Sequence, residues 1–277
     1  MKNQLPISVI IPCFNSSKTI KHSVASIIKQ KSIPKEVILV DDCSNDDNKT
    51  ITEIKKCIRL LNINKIKTKL VINKSNKGPA ASRNEGIFIS KEKYLAFLDS
   101  DDFWLKEKLE HQYEIMENNK NVFLSCHDSY FINNKKREEK IETGQLNDII
   151  KKIYLPNMFF KNFVQTRTVM VKNNDNILFN EKFRYAEDYD LWLRLMIRKH
   201  ELYYINNKLA CCYTKNGFSE GLSSHFFLFW INEILVLFLN SIRSKKFFVF
   251  LPFILIFSFI KLIIRLIKYR LYNFGLL

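Results

Sequence analysis

The sequence predicts an α/β fold: a doubly wound, mostly parallel sheet followed by a hydrophobic and basic helical tail. Three observations carry this. Short β-branched apolar runs alternate with stretches of helical length through the first part of the chain, the signature of βαβ units. Polar and acidic residues gather just after those runs, at the sheet edge where such folds bind ligands. Near its end the chain becomes apolar, with basic residues and no acids from Ser241 to Leu277.

The elements follow in order. Ile7–Pro12 reads as the first strand, and Ser16 or Ser17 caps a helix running to about Gln30. Glu36–Val40 is the second strand, ending in Asp41-Asp42. Asp46 and Asp47 open a second helix to about Leu61. Thr68–Ile72 is the third strand, Pro79–Ile89 a small-residue helix and Tyr94–Leu98 the fourth strand. Phe103–Asn119 reads as an amphipathic helix, and Val122–Ile132 as strand. Lys135–Lys140 is a solvated loop with no site implied. Gln145–Phe179 shows no regular pattern. In Tyr185–Arg198, Leu191, Leu195 and Met196 share a helical face. Glu201–Tyr213 closes the domain as a strand.

Composition narrows the class. The 277 residues suffice for one large domain or one domain with an appendage. The net charge of +16 suits phosphate-bearing partners, although 34 of the 44 basic residues are Lys, a bias that AT-rich coding also produces. Six cysteines without a C-x-x-C pair exclude a zinc spacing or a disulfide framework and fit free thiols. Met1–Ile7 lacks an apolar core, so no secretory leader is expected.

Five segments carry chemistry, and each has a plainer reading. Asp99, Asp101 and Asp102 end a buried strand. Such stacked hard oxygen ligands suit Mg²⁺ or Mn²⁺ bridging to a diphosphate, or else open a helix. Pro12 and Asn15 follow strand one, where Asn15 either donates to a nucleotide or caps the helix. Asp41 and Asp42 can accept from a nucleobase or ribose, or close an Asx-turn. Lys77 and Arg83 flank a helix start whose N–H donors suit diphosphate, or decorate a surface helix. Glu187-Asp188 offers a general base, or caps its helix. Their common placement at one predicted sheet edge favours the functional readings together.

The stretches SVIIPCFNSSKTIKHSVASIIKQ, EVILVDDCSNDDN, NKGPAASRNEGI, YLAFLDSDDFW and AEDYDLWLRL resemble the family 2 glycosyltransferases of the GT-A fold, of the bacterial cell-envelope polysaccharide type. The first four cover about residues 6–115 closely, and the fifth matches the acceptor-side acid motif. The resemblance implies a transferase moving one sugar, with inversion, from a nucleotide-sugar, usually of UDP, to a saccharide or lipid-linked hydroxyl in O-antigen, capsule or lipopolysaccharide synthesis. It implies that Asp41 reads the base with Asp42 nearby. Pro12 and Asn15 would line the nucleotide pocket, with Lys77 and Ser100 on the donor side, and Arg83 would help hold the nucleotide. Asp99 would approach the ribose and sugar, Asp101 would ligate Mn²⁺ or Mg²⁺, and Asp188, beside Glu187, would be the base. Asp102 is left as the helix-capping acid. Cys43 stands where the family usually has Gly, tolerable if that backbone does not need positive φ. The Gln-x-x-Arg-Trp signature of processive synthases is absent.

A metal-dependent nucleotidyltransferase acting on sugar phosphates is the competing enzyme class. It would normally show a Gly-rich basic loop after strand one, and the loop here is Cys-Phe-Asn-Ser-Ser. No nucleic-acid partner is expected, because acids sit at the strand ends. The expected division is 1–222 for the transferase domain, with 1–115 binding donor and 116–222 acceptor, and 223–277 for a membrane-associating tail. Phe226–Leu239 as a helix is roughly 20 Å long, and 247–267 just reaches the roughly 30 Å of a hydrocarbon core. Lys261, Arg265 and Lys268 share one helical face. An in-plane anchor on an anionic leaflet fits this better than a single span in 247–267 or an oligomer interface. The expected place is the cytoplasmic side of the cell membrane, as a peripheral protein.

Overall fold

The computed structural model describes residues 2–132, 141, 144, 146, 149–174, 177–213 and 226–273, the side chains of 226, 265, 268, 269 and 271–273 excepted. Its core is a sheet in the order β3-β2-β1-β4-β8-β6-β9-β5, with β7 paired to β9. The strands are β1 (Gln4–Cys13), β2 (Ile33–Asp41), β3 (Lys67–Ile72), β4 (Tyr94–Phe97), β5 (Phe103–Trp104), β6 (Val122–Ile132), β7 (Ile150–Lys152), β8 (Met170–Lys172) and β9 (Glu201–Tyr213). The helices are α1 (Ile20–Ile28), α2 (Lys49–Ile63), α3 (Pro79–Ile89), α4 (Lys108–Asn118), α5 (Leu155–Phe160), α6 (Glu187–Ile197), α7 (Phe226–Ser244) and α8 (Leu251–Asn273).

The α/β expectation holds. β3, β2, β1 and β4 are mutually parallel, and β6 runs parallel to β9. The two-residue period of the strands sorts their side chains onto two faces. Ile7, Val9 and Ile11 of β1 pack with Ile20 and Val24 of α1 and with Ile54 of α2. Ile10 belongs to the opposite face, with Ile87 of α3 and Leu191 of α6. A Cβ built on Gly86 would come within 2.5 Å of Ile10 Cγ2, so only glycine lets α3 lie this close to β1.

Topology positions the site. Cys13 pairs with Asp41 and Asp41 with Ile72, so the C-terminal ends of β1, β2 and β3 lie side by side. β8 runs antiparallel to β4, with Met170 opposite Ala96. It therefore begins where β4 ends, and the 3₁₀ turn Thr166–Thr168 that precedes it sits beside the acidic cluster.

Of the element boundaries that differ from the sequence reading, two bear on the site. Phe103 and Trp104 are not helical: they pair as β5 with Cys211 and Ala210, and α4 starts only at Lys108. Tertiary pairing to β9 overrides a local amphipathic pattern. Neither Ser16 nor Ser17 caps α1. Ser16 O closes a turn onto the Thr19 and Ile20 N–H groups, and the helix begins after it. Asp46 does serve α2, accepting from the Thr50 N–H and hydroxyl. The Lys135–Lys140 loop and the 222/223 boundary fall outside the described residues.

α7 extends to 19 residues, about 28 Å, longer than expected. Its Val236 and Leu237 join the main core. Asp190 of α6, fully buried, binds α7 to the domain. Its carboxylate accepts from Arg194 Nε at 2.7 Å, Arg243 Nη1 at 2.8 Å and Asn240 Nδ2 at 3.0 Å. Asp190→Ala removes the anion that both arginines share. We expect a loss of about 3 kcal/mol, the low end for a broken buried pair because Arg243 can regain water, measured by chemical denaturation.

Candidate functional site

A cavity of about 970 Å³ opens at this sheet edge, within the range of small-molecule pockets. Pro12, Asn15, Asp42, Arg83, Asp99, Ser100, Asp101, Asp102, Glu187 and Asp188 all line it, so most residues singled out from sequence converge there. Asp41 and Lys77 do not.

Each of these positions has a local cause. Asp41 is buried and its carboxylate closes a turn, accepting from the Ser44 hydroxyl at 2.6 Å and the Ser44 N–H at 3.1 Å. Asp42 holds the β3–α3 loop, accepting from the N–H groups of Lys77 and Gly78 and from Asn73 Nδ2. Those two N–H groups, just ahead of α3, are therefore spent within the protein. Lys77 Nζ instead pairs with Glu85 at 3.1 Å. Asn15 neither caps α1 nor has a free amide. It adopts φ 50° and exchanges hydrogen bonds with Asn45, locking the β1 loop to the β2 loop.

Arg83 is the centre of the site. Its Nη1 donates to Glu187 Oε1 and its Nη2 to Asp99 Oδ1, both at 2.8 Å. Burial opposes its charge, yet Asp99 and Glu187 raise its pKa and keep it cationic. Burial also works against ionisation of Asp99, but Arg83 and Arg167 outweigh it and hold that carboxyl below its ordinary value. Asp101 has the opposite balance. It is exposed to the cavity, but partial desolvation by the cavity walls and the Asp99 charge raise it, and among the described residues no ion pair reaches it. At Asp102 burial dominates and lifts the pKa despite Arg167 Nη1 at 2.7 Å. Asp102 is thus the partner of Arg167 and not the cap of α4, which starts six residues later.

The acceptor-side pair sits at the start of α6. Burial raises both Glu187 and Asp188, with Arg83 opposing. Asp188 Oδ2 accepts from Thr166 Oγ1 at 2.9 Å, and its Oδ1 from the Tyr189 N–H at 2.6 Å. A carboxylate of raised pKa with a fixed orientation can take a proton near neutral pH.

Several lining residues escaped the sequence reading: Phe14, Gln165, Thr166, Arg167, Arg184 and Phe229. Thr166 and Arg167 lie in a stretch without periodicity, and only the antiparallel return of β8 brings them in. Arg184 precedes Glu187 by three residues. Its guanidinium lies against Gly78, where a Cβ would meet Nη1 at 2.5 Å. Gly78 has φ 91°, so the backbone here favours glycine, while the flexible tip of the exposed Arg184 could move aside from an added Cβ.

Cys43 sits at φ 58°, a left-handed conformation that costs a side-chain-bearing residue roughly 1–2 kcal/mol. The condition for tolerating it without cost is not met. Cys43→Gly relieves that strain against a greater loss of chain entropy. We expect a gain of up to about 1 kcal/mol in urea denaturation.

Comparison with known proteins places these features in a family. The model of "Glycosyl transferase family 2" matches residues 8–184. An uncharacterised glycosyltransferase of Rickettsia conorii is 34% identical over 197 residues, covering 70% of this chain and 30% of that protein. The chain thus spans under a third of that relative's length. The Escherichia coli UDP-Glc:alpha-D-GlcNAc-diphosphoundecaprenol beta-1,3-glucosyltransferase WfgD is 30% identical over 196 residues, 69% of each chain. Staphylococcus aureus TarS 1–349, solved in complex with UDP, shares the fold. Its TM-score is 0.62 at 20% identity, over 90% of this chain and 71% of that one.

Proposed function

The chain belongs to glycosyl transferase family 2, and we propose that it transfers one hexosyl or N-acetylhexosaminyl unit from a UDP-sugar to a hydroxyl of a lipid-linked saccharide, inverting the anomeric carbon, in surface polysaccharide synthesis. One observation carries the reading. Arg83 ties Asp99, at the end of β4, to Glu187, at the start of α6, so donor-side and acceptor-side carboxylates share one cavity. The donor and acceptor classes follow those named for WfgD, and a UDP donor agrees with the ligand of TarS.

The residues present fit a divalent cation. Asp101 lines the cavity without an ion pair among the described residues, and Asp99 is two residues away. Carboxylate oxygens suit Mn²⁺ or Mg²⁺. Among the described residues no group of three or more His, Cys, Asp or Glu could hold a metal ion by itself, so the diphosphate would have to supply further oxygen ligands. Held by Asp101, such an ion would supply positive charge to the departing diphosphate. Arg167 and Arg184 bring fixed positive charge to the same cavity. Pro12, Phe14 and Asn15 form the wall beside Asp42, where the nucleoside would sit. Asp188, oriented by Thr166, takes the proton of the acceptor hydroxyl as the new bond forms.

The tail supports a peripheral placement on the cytoplasmic face of the membrane. The segment Phe227–Ser244 has the length and mean hydropathy of a span. However, its Glu233, Val236, Leu237, Asn240 and Ser241 are buried. A helix that gives one face to the domain suits the bilayer surface better than its interior. Lys261 pairs with Glu233 of α7, so this member of the expected basic face serves the packing of α8 on α7. The side chains of Arg265 and Lys268 lie outside the described residues.

Asp188→Asn should retain UDP affinity by calorimetry and lose at least about a hundredfold in transfer rate. Full transfer by that variant would overturn the assignment of the base. Asp101→Ala should lose the Mn²⁺-dependent part of UDP binding, read by titrating UDP with and without the metal. Unchanged metal dependence would remove Asp101 from the donor site.

A further inference from the structure

The exposed apolar side chains of this protein concentrate on α7 and α8. Leu228, Ile231, Leu235 and Ile242 are between 37% and 48% exposed and recur three, four and seven residues apart, along one side of α7. On α8, Phe253, Ile256 and Ile260 are exposed in the same way. Lys245 and Lys246, in the turn between the helices, are exposed, as is Arg270. With no acid between Ser241 and Leu277, an anionic lipid surface complements this face in both hydropathy and charge.

This face is continuous with the cavity at two places. Phe229, in the first turn of α7, lines the cavity and packs against the main core. It lies next to the outward-facing Leu228 and two residues before Ile231. On the other side, Asn162 and Val164 line the cavity, while Phe160 packs edge-on against Phe257 of α8 with ring centres 5.5 Å apart. Two separate segments thus run from the cavity wall to the apolar tail.

We infer that the acceptor enters over Phe229, between the first turn of α7 and residues 160–164. Its saccharide end reaches Asp188 while its apolar carrier stays on the α7–α8 face at an anionic bilayer. This rests on the transferase reading above and adds the route and the part of the chain that selects a lipid-linked acceptor. Phe229 is then a specificity-determining contact, since it touches the segment that joins saccharide to carrier.

The test compares two acceptors: GlcNAc-diphosphoundecaprenol in vesicles of phosphatidylglycerol and phosphatidylcholine, and the same sugar diphosphate on a short water-soluble alkyl chain. Wild type should prefer the first. Leu228→Ser with Leu235→Ser, two exposed positions away from the cavity, should lower kcat/KM for the lipid-linked acceptor about tenfold, the effect of removing apolar contact worth about 1.4 kcal/mol. The soluble acceptor should be used within about twofold of wild type, a margin of under about 0.5 kcal/mol. Phe229→Ala should raise KM for the lipid-linked acceptor and leave UDP binding unchanged. Equal losses on both acceptors in the double variant, or none on either, would overturn the route. A wild type that uses both acceptors equally would also overturn it and leave the transferase reading intact. Transfer to neither acceptor would overturn both.

Discussion

The Arg83 guanidinium is the interaction on which this site depends. Six carboxylates line one cavity; Asp42 is spent on the β3–α3 loop, and the other five, Asp99, Asp101, Asp102, Glu187 and Asp188, come from the end of β4 and the start of α6. In a medium of low effective dielectric such a cluster repels itself by several kcal/mol. Burial alone would protonate it. Arg83 is buried between the two groups of acids and satisfies one from each at 2.8 Å. The Arg167–Asp102 pair repeats this arrangement one step further along the edge. Among the described residues Asp101 and Asp188, one on each side, have no arginine in direct ion pair. These are the two groups to which the proposed chemistry assigns work, and both are pushed upward by their surroundings. Structure and chemistry thus draw on the same charges. The arginines hold the acids that keep the site together and leave exposed to substrate those that react.

The first half of the fold was legible because its information is local. Each of β1, β2 and β4 is a short apolar run ending at a polar turn, and the parallel order follows from the helices between them. The residues at those ends, from Pro12 to Asp102, were found for the same reason. Side-chain roles within them were less legible. Asn15 and Asp42 have partners in other loops, Asn45 and Gly78, whose proximity depends on strand register, whereas Asp41 and Lys77 are taken up close by, by Ser44 in the same turn and by Glu85 of α3. Asp42, rather than Asp41, reaches the cavity because Asp41 is turned into its own Asx-type loop.

The second half was less legible for a different reason. Thr166 and Arg167 belong to an irregular segment without periodicity. Their placement comes from β8 running antiparallel between β4 and β6, a pairing of distant residues that no local pattern announces. The misread start of α4 has the same origin, since Phe103 and Trp104 answer to β9, more than one hundred residues later. Trp104 then supports the site indirectly, its indole N–H donating to the Arg167 carbonyl at 2.8 Å. Glu187 and Asp188 were legible because α6 is strongly periodic and starts at them.

α6 also joins the chemistry to the tail. Asp188 and Asp190 lie two residues apart on this helix and point to different tasks: one lines the cavity, the other is buried against Arg194, Asn240 and Arg243. Because Asp190 is fully enclosed, α7 cannot leave the domain without taking away two of its three donors, Asn240 and Arg243, and leaving the carboxylate to Arg194 alone. The orientation of α7 is therefore tied to that of the helix carrying the proposed base. The Glu233–Lys261 pair extends the same logic to α8, so the two apolar helices move with each other. A surface built in this way would set the distance between a bilayer and Asp188 rigidly. For a saccharide attached to a membrane-bound carrier, that distance determines which hydroxyl the base can reach.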